Sequence, residues 1–410
     1  MPRLPRAMHR NLPGIGWRDR KISFLESRLE QLLQTRDSLG SKLDHTRATL
    51  EKERTEHAQQ LHAHATEIAT LRNDIEDIAS ASGDASETGG LARPSFEEKM
   101  ADYRAATNLA RANKWHSASA IAQMNYKLRT YSLAESLGVD TPKIHRVWNS
   151  AAEINLNEID AEKIVLKADG GHSGISVIPL RRTDHGWQTL NGAEQMSDGR
   201  PSEEVLKQLK KGRRPYFAEE FLDSDADSTI PADIKVYTAY GQILHVLVMQ
   251  TSGKGVANRS TFSRRYFDAA GNDLGMILPV AVYGPDIPVP RDWDDLLASA
   301  RRLSIASGIP FVRVDLYGTS RGPVLGELTA TPGGKQRYRL QHDTMMGRAC
   351  NEAEVRLQRD IARGRTAGTL YGHDPYTWWY PDSERETHPS SWHRPAGDPE
   401  EWYTPSPTSL

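Results

Sequence analysis

The spacing of apolar residues marks the N-terminal part of the chain as one long helix. From residue 18 to residue 78 there is no proline, and apolar side chains recur mostly in alternating steps of three and four. Charged and glutamine residues fill the remaining positions, so the segment is predicted to form a coiled coil. The apolar seam consists of Ile22, Leu25, Leu29, Leu32, Leu39, Leu43, Leu50, Leu61, Ile68, Leu71, Ile75 and Ile78.

The seam is interrupted near Arg54 and His57 and resumes at Leu61 in a shifted phase, which a stutter accommodates. Because a lone helix cannot bury so narrow a stripe, we expect a homo-oligomer or a coiled-coil partner. The alternative is an amphipathic helix folded back on the rest of the chain. We interpret the histidines at 57, 62 and 64 as solvated side chains rather than metal ligands.

The rest of the chain divides into a linker, a folded region and a tail. Residues 79–94 are rich in Gly, Ser and Ala without periodicity, as in a flexible linker. Residues 95–364 are predicted to fold, beginning with a helical stretch over 95–137. Residues 365–410 are rich in Trp, Tyr, Pro and His without a regular period, so this tail is either disordered or laid over the body.

Short runs of Val, Ile and Tyr separated by Gly, Pro and Asp predict an α+β fold after residue 137. Helical periodicity appears at three places between and after these runs, namely Ser202–Lys211, Trp293–Ser307 and Thr344–Arg363. The predicted strands are Lys163–Lys167, Ser176–Leu180, Tyr216–Phe221, Ile234–Tyr240, Ile243–Gln250, Val312–Tyr317 and Val324–Leu328.

Composition narrows the class of protein. The 52 Lys and Arg residues nearly balance the 54 Asp and Glu residues, so we expect no nucleic-acid partner. One cysteine, Cys350, leaves no internal disulfide and fits a reducing compartment. The N-terminus has basic residues without a following apolar stretch, and no apolar run approaches twenty residues. We therefore expect a cytoplasmic protein with no membrane span.

The most informative chemistry lies on two predicted strands, Val312–Tyr317 and the run around Glu327. Strand alternation places Arg313 and Asp315 on one face, and it can bring Glu327 and Thr329 onto a common face. Converging carboxylates repel unless a cation lies between them. Mg²⁺ suits this role because it prefers hard oxygen ligands and also binds nucleotide phosphates.

Three further motifs precede this pair of strands. The predicted strand ending at Lys167 is followed by a glycine-rich loop, Gly170–Gly174, whose backbone N–H groups can approach an anion. Residues 213–222 form an apolar segment that turns acidic. We interpret it as an edge segment whose backbone pairs with an adenine while an acid meets the ribose. Asp233 and Lys235 then share one face of a strand.

In this order the motifs resemble the ATP-grasp superfamily, and more narrowly the TupA-like ATP-grasp proteins of surface-polysaccharide and teichuronopeptide biosynthesis. The resemblance covers about residues 124–347. It implies an ATP-grasp fold, with two α/β subdomains clamping ATP, within the predicted catalytic region 95–364. The narrow resemblance depends on RRPYFAEEFL, DIKVYTAYGQILHVLV and FVRVDLYGTSRGPVLGELTATPGG.

The resemblance implies a role for each motif. Lys127 and Lys167 would contact the ATP phosphates, and Lys235 would reach a phosphate with Asp233 as its neighbour. Arg313 would stabilise the transferring phosphoryl group. The loop closing on the triphosphate would comprise Gly170, Gly171, His172, Ser173 and Gly174; the adenine pocket Glu219, Glu220 and Phe221; and the Mg²⁺ site Asp315, Glu327 and Thr329.

Two assignments stay open within the resemblance. Thr329 stands where many members of the superfamily have an Asn metal ligand, although the narrower family has the same Glu-Leu-Thr pattern. The acid that meets the ribose could be Glu220, Asp223 or Asp225.

The implied activity is an ATP- and Mg²⁺-dependent ligase that forms an amide through an acyl phosphate from an anionic carboxylate acceptor. The polar, basic segment from residue 253 to 259 and on to residues 264–266 is hypothesised to bind that acceptor; the alternative is a solvated loop. Two other functions remain open: a kinase acting on a hydroxyl or sugar, and a coiled-coil scaffold with a nucleotide-sensing domain.

Overall fold

The computed structural model describes residues 15–81, 93–170, 176–222, 232–251, 262–279, 283–333, 337–380 and 391–403, and within the first helix the side chains of residues 16–54. The chain separates into two compact units, Met1–Ala92 and Arg93–Leu410. Four of the five residues of the predicted glycine loop, Gly171–Gly174, lie outside the described residues, as do Asp223, Asp225 and the segment 253–259.

The described residues of the first unit form one helix, α1, at Ile15–Ala81, 67 residues long. It extends three residues beyond each predicted end of the coiled coil. The seam leucines among residues 16–54 are exposed in the single chain, for example Leu29 at 58% and Leu39 at 60%. The coiled coil and its partner stay predictions. None of the described helices is long and apolar enough to cross a membrane.

The second unit contains two antiparallel sheets. The first has six strands in the order β1-β6-β2-β3-β4-β5, and the second has five in the order β11-β10-β7-β8-β9. The strands of the six-stranded sheet are β1 Ile144–Trp148, β2 Lys163–Gly170, β3 Val177–Thr183, β4 Gly186–Thr189, β5 Gln195–Met196 and β6 Arg213–Glu220. Those of the five-stranded sheet are β7 Asp233–Ala239, β8 Gln242–Thr251, β9 Phe262–Phe267, β10 Phe311–Thr319 and β11 Gly322–Thr329.

In the described part of this unit six α-helices accompany the sheets, and local signals explain where two of them begin or end. Ser95 caps α2 by accepting a hydrogen bond from the Glu98 N–H at 3.3 Å. Gly308 ends α6 with a φ of 67°, and a side chain there would collide with the Gly368 carbonyl. The helices are α2 Phe96–Ala112, α3 Ala120–Gln123, α4 Lys127–Glu135, α5 Glu203–Leu209, α6 Trp293–Ser307 and α7 Leu340–Ala362.

Alternation along the strands of the five-stranded sheet separates its two faces. Val236, Val312 and Val314 are fully buried in the cluster that includes α4 and α6 residues. The opposite face carries Tyr237 and Phe311, which pack with residues of α2 and α7. The charged residues of β7 and β10 also lie on this second face, so it carries the candidate chemistry beside a second apolar cluster.

The predicted α+β class and all seven predicted strands are confirmed. The helix predicted at Trp293–Ser307 has the bounds of α6, and the other two predicted helices overlap α5 and α7. The single helical stretch expected over 95–137 is instead divided into α2, α3 and α4, with a break at Asn113 and at Lys114, whose φ is 59°.

Four strands were not predicted: β1, β4, β5 and β9. The part of the tail that the structure describes, residues 365–380 and 391–403, packs on the second unit. Its buried members include Tyr371, Tyr380 and Trp392. Of the two alternatives for the tail, packing over the body is therefore the one observed for these residues.

Candidate active site

The centre of the site lies on three neighbouring strands of the five-stranded sheet. In the antiparallel register Asp315 of β10 faces Glu327 of β11 on one side and Lys235 of β7 on the other. Arg313 faces Thr329 in the same way. The predicted sharing of one face by these residues is confirmed, because their side chains contact one another.

Arg313 contacts all three side chains that were predicted as metal ligands. Its Nη2 lies 2.6 Å from Asp315 Oδ2, 3.2 Å from Thr329 Oγ1 and 3.5 Å from Glu327 Oε1. The Thr329 hydroxyl donates to Glu327 Oε1 at 3.1 Å. Two carboxylates and a hydroxyl thus converge on one positively charged nitrogen.

Lys235 connects two acids on the same face. Its Nζ lies 2.7 Å from Asp233 Oδ1 and 2.9 Å from Asp315 Oδ2. Burial lowers the pKa of Lys235, but Asp315 and Asp233 outweigh it and hold the pKa above its ordinary value. Burial likewise raises the pKa of Asp315, and Arg313 and Lys235 outweigh it, so this carboxyl stays ionised.

A second charged pair lies in the six-stranded sheet. Lys167 of β2 and Glu219 of β6 form an ion pair, and their side chains are only 6% and 3% exposed. The Tyr131 hydroxyl lies 3.0 Å from Glu219 Oε2 and 3.1 Å from the Gly326 carbonyl oxygen, donating to one of them at a time. Because Gly326 belongs to β11, Tyr131 of α4 joins the two sheets at the site.

Lys127, the first residue of α4, brings a further charge to the space between the sheets. It is 6% exposed. Burial lowers its pKa most, Glu327 opposes that shift, and the neighbouring charge of Lys167 adds to it. Charges of both sheets, Glu327 of β11 and Lys167 of β2, therefore act on Lys127.

Asp169 is a site residue that the sequence motifs did not indicate. It is fully buried near the end of β2, where Oδ1 accepts from the Leu128 N–H at 2.8 Å and Oδ2 accepts from the Tyr380 hydroxyl at 2.6 Å. Burial raises the pKa of Asp169 to about 6, against those two hydrogen bonds. Asp169 thus holds the start of α4, and with it Lys127, to the strand that carries Lys167. Its only sequence signal was its place between Lys167 and the glycine loop.

The charges of the site balance before any ligand is added. Four cationic side chains stand against four acidic ones, apart from Asp169. A triphosphate therefore needs accompanying positive charge to enter. The cations are Lys127, Lys167, Lys235 and Arg313, and the acids are Glu219, Asp233, Asp315 and Glu327.

The donor set on β10 and β11 fits a hard cation. Asp315, Glu327 and Thr329 offer oxygen atoms that already converge on a cationic nitrogen, and the Glu327 side chain is 29% exposed. Among the described residues no group of three or more His, Cys, Asp or Glu side chains could hold a metal ion. The β10–β11 set is of a different kind, because its third oxygen comes from a hydroxyl and only two come from carboxylates.

The predicted glycine loop falls between β2 and β3, and of its five residues the structure describes only Gly170, the last residue of β2. Gly170 pairs with Arg213 of β6. A side chain at Gly170 would meet Arg213 Cβ at 2.8 Å, so only glycine fits this close approach.

The interpretation of residues 213–222 as an edge segment is wrong. β6 lies between β1 and β2, and the Glu220 N–H donates to the Lys143 carbonyl at 2.8 Å. The Glu220 carboxylate accepts two hydrogen bonds from Arg321, at 2.9 and 3.0 Å. Burial raises the pKa of Glu220, but the Arg321 hydrogen bonds outweigh it and leave the pKa lowered. Both carboxylate oxygens of Glu220 thus accept hydrogen bonds from Arg321. Which acid would bind the ribose stays unassigned.

Phe221, the third residue of the predicted adenine pocket, follows β6. Its ring centroid lies 5.6 Å from Lys163 Nζ. The assignment of Glu219, Glu220 and Phe221 to an adenine pocket stays a prediction, and for Glu220 the backbone N–H cannot take part while it pairs with Lys143.

The hypothesised acceptor segment is partly corrected. Residues 264–266 belong to β9 and pair with β8, so they are not a solvated loop. Arg265 forms an ion pair with Asp273 at 2.9 Å, and Tyr266 is 1% exposed. Arg265 and Tyr266 therefore make contacts within the folded unit.

Comparison with known families gives one match. The model of the family described as TupA-like ATPgrasp matches residues 107–350. Comparison with curated proteins gives no match.

Several solved structures are similar to this chain. The ATP-grasp ligase PsnB complexed with minimal precursor is 15% identical, with 58% of this chain and 62% of that chain covered and a TM-score of 0.33. The D-alanine–D-alanine ligase from Bacillus anthracis is 13% identical, covering 58% and 69%, with a TM-score of 0.38. The VanG D-Ala:D-Ser ligase from Enterococcus faecalis is 12% identical, covering 57% and 61%, with a TM-score of 0.37. The chain thus spans less than two thirds of the first and third of these proteins.

Proposed function

The chain belongs to the TupA-like ATP-grasp family, and from that premise we propose that it is an ATP- and Mg²⁺-dependent ligase that joins a carboxylate to an amine. The reaction would pass through an acyl phosphate and would serve the assembly of a surface polysaccharide or a peptide polymer. The N-terminal helix would hold the enzyme as a homo-oligomer or on a coiled-coil partner.

One observation carries the proposal: Asp315, Glu327 and Thr329 converge on a single guanidinium nitrogen of Arg313. A face that gathers two carboxylates and a hydroxyl about a cation is suited to an Mg²⁺–nucleotide complex. Asp315, Glu327 and Thr329 are the residues that would hold the metal ion, which when bound supplies positive charge to the phosphates.

The cations of the site have a defined part in this reaction. A carboxylate and a triphosphate repel each other, so their approach requires fixed positive charges. Lys235 and Arg313 are held charged by Asp315 and are both largely buried, at 16% and 12% side-chain exposure. Charges fixed in a low-dielectric site stabilise a developing negative charge more strongly than solvated ones. Lys127 of α4 and Lys167 of the six-stranded sheet would also bind the phosphates.

The proposed reaction has two steps. A carboxylate oxygen of the acceptor attacks the γ-phosphorus, the bond to the β-phosphate oxygen breaks, and ADP departs with that electron pair. The amine then attacks the acyl carbon and inorganic phosphate departs, carrying one oxygen of the original carboxylate. The proton lost from the amine passes to solvent.

Turnover with a labelled acceptor tests the proposal. Purified protein, Mg²⁺ and ATP are incubated with pools of amino acids and of uronic acids whose carboxylates carry heavy oxygen. The ligase reaction predicts acceptor-dependent ADP release, an amide product and heavy oxygen in the released phosphate.

Other outcomes would contradict the ligase. ADP release with a phosphorylated product and no amide would assign the site to a kinase. Nucleotide that binds but is never turned over with any pool would favour a nucleotide-sensing scaffold.

A further inference from the structure

The tail contacts α4, the helix whose first residue is Lys127, along most of its length. At the far end of α4 the Gly372 N–H donates to Ser136 Oγ at 2.9 Å. In the middle of the helix, Ser132 Oγ donates to the Thr377 carbonyl at 2.6 Å. These tail residues lie beyond position 350, where the family match ends. A segment outside the matched region is therefore packed on the helix that carries a proposed ATP ligand.

The tail also encloses Arg129, two residues after Lys127. The guanidinium carbon of Arg129 lies 5.4 Å from the Tyr371 ring centroid and 5.3 Å from the Trp392 ring centroid. Arg129 Nη2 donates to the His393 carbonyl at 3.1 Å, and the residue is 1% exposed. A cation between aromatic rings is attracted by the negative faces of the rings. Both described segments of the tail are thus joined to α4 close to its start.

A chain of hydrogen bonds connects the tail to the first turn of α4. The N–H groups at the start of a helix have no partner within the helix, and Tyr126 at the N-cap position of α4 provides no side-chain cap. Asp169 of β2 takes that role, since its Oδ1 accepts from the Leu128 N–H at 2.8 Å. The Tyr380 hydroxyl donates to Asp169 Oδ2 at 2.6 Å. Tyr380 and Asp169 are both buried, so one carboxylate links the tail to the start of the helix.

We propose that Tyr380 is a positioning residue for ATP binding: by holding Asp169 it fixes the first turn of α4, so that Lys127 meets the phosphates. The inference rests on the proposed function, because it uses the assignment of Lys127 to the ATP phosphates. It deepens that function by making the tail part of the nucleotide site. Without the hydroxyl, one oxygen of a fully buried carboxylate loses its donor, which is costly unless the carboxyl moves or takes up a proton.

Tyr380 also acts on the charge of Asp169. Burial raises the pKa of Asp169 to about 6, and the Tyr380 hydrogen bond opposes that rise. Removing the hydroxyl therefore raises the pKa of Asp169 further. Burial lowers the pKa of Lys127, and the charge of Asp169 is among those that oppose this shift. The titratable groups that act with Asp169 are Tyr380, Lys127 and Tyr126.

Tyr380→Phe in the full-length protein tests the proposal, because it removes the hydroxyl and keeps the ring. A non-hydrolysable ATP analogue is titrated calorimetrically with Mg²⁺ between about pH 6 and pH 9. We expect the Kd to rise about three- to tenfold relative to the wild type, up to the scale of one lost charge-assisted hydrogen bond. The ratio of the two Kd values should be largest just above pH 6, where Asp169 is ionised in the wild type and partly protonated in the variant. It should decline at higher pH, where both proteins carry the charge.

Two control variants distinguish positioning from a general loss of packing. Ser136→Ala removes the tail hydrogen bond at the far end of α4. It should lower the urea midpoint while leaving the Kd for the analogue unchanged at every pH. Tyr403→Phe removes the hydroxyl of a tail tyrosine whose ring centroid lies 5.1 Å from the Arg301 guanidinium carbon of α6, and it should leave the Kd unchanged.

Hydrogen exchange measured by mass spectrometry gives a second measurement that needs no nucleotide. Tyr380→Phe should speed exchange in a peptide that contains Leu128, because the acceptor of this N–H is no longer held in place. Ser136→Ala should leave exchange in that peptide unchanged.

The outcomes separate this inference from the proposed function. An unchanged Kd in Tyr380→Phe, or a Kd ratio that is independent of pH and equal to that of Ser136→Ala, would overturn the positioning role. Failure of the analogue to bind the wild type would count against the proposed function instead. Exchange at Leu128 would then still decide whether Tyr380 fixes the start of α4, and an unchanged exchange rate in Tyr380→Phe would overturn it.

Discussion

The two sheets hold their charges in different ways. In the six-stranded sheet, Lys167 and Glu219 form one closed pair that is almost inaccessible. In the five-stranded sheet, Lys235 and Arg313 share Asp315, and Arg313 also reaches Glu327. The second set includes partly open acids, with Glu327 29% exposed and Asp233 31%.

The Lys167–Glu219 pair and the network around Asp315 therefore differ in how easily their contacts can be exchanged. A closed buried pair is costly to break, because the remaining partner stays charged and desolvated. A network of several partners can transfer a contact from one member to another while each charge remains compensated. The charges of the five-stranded sheet can therefore exchange partners, whereas separating Lys167 from Glu219 leaves a buried charge uncompensated unless a ligand replaces the partner.

The largest effect is expected from Asp315→Asn. The substitution keeps the size of the side chain but removes the charge that Lys235 and Arg313 share, and with it a proposed metal ligand. Turnover should fall at least about a hundredfold, the scale of losing one preorganised charge-stabilising group. Steady-state ADP release measures it, with Asp295→Asn, an exposed acid on α6, as the control. If Asp315→Asn retained Mg²⁺-dependent turnover, the charge that Asp315 shares with Lys235 and Arg313 would not be required for the reaction.

Lys167→Met should disturb both binding and folding. It leaves Glu219 buried without its cation, which destabilises a fold by about 3–5 kcal/mol. It should also weaken ATP binding about tenfold or more, as one lost charge-assisted contact. Chemical denaturation and nucleotide titration measure the two effects.

A double variant separates those two effects. Lys167→Met with Glu219→Gln should recover much of the stability but none of the ATP affinity. If ATP affinity returned with stability, the lysine would be purely structural.

A smaller, pH-dependent effect is expected at Asp169. Its pKa of about 6 in the fold lies above the ordinary 3.8, so the folded state binds the proton more tightly than the unfolded chain does. Its contribution to stability is therefore full below pH about 4 and is lost as the pH rises through about 6. Asp169→Asn, which cannot ionise, should gain on the order of 1–3 kcal/mol relative to wild type between those pH values.

Urea denaturation at several pH values measures this difference. A constant gap between the two proteins across the range would show that Asp169 titrates normally. The same experiment on Asp184→Asn, an acid in the turn between β3 and β4, provides the control.

The smallest effect on turnover is expected outside both sheets. Leu32→Asp and Leu39→Asp place charges in the seam of α1, where these leucines are 55% and 60% exposed in the single chain. If α1 forms a coiled coil, these variants should have a lower oligomer mass, measured by light scattering. Turnover per chain should be unchanged. Gln34→Asp, away from the seam, is the control, and an unchanged mass in the leucine variants would contradict the coiled coil.

The sequence pattern predicted the elements whose contacts are local along the chain. Strand alternation was enough to place Asp315 and Glu327 together, since β10 and β11 are joined by a short turn. Helical periodicity predicted the bounds of α6, which has acidic residues at its start and Gly308 at its end. The two short strands β4 and β5 carry few apolar residues and depend on neighbouring strands, so their sequences gave little signal.

Contacts between distant residues could not be predicted in the same way. Asp169 and Tyr380 lie 211 positions apart, and their hydrogen bond requires the tail to fold over the body. The position of β6 between β1 and β2 depends on pairing across the sheet, which overturned the interpretation of residues 213–222 as an edge. The division of the 95–137 stretch occurs without Gly or Pro at the break between α2 and α3, where Lys114 adopts a positive φ.

We propose that Asp315 and Glu327 hold the metal ion that accompanies ATP. Electron paramagnetic resonance of Mn²⁺, used in place of Mg²⁺, tests it directly on wild type, Asp315→Asn and Glu327→Gln in the presence of a non-hydrolysable ATP analogue. We predict a nucleotide-dependent protein-bound Mn²⁺ signal in the wild type that is lost or strongly weakened in both variants, while the Asp295→Asn control retains it. An unchanged signal in Asp315→Asn and Glu327→Gln would contradict the assignment.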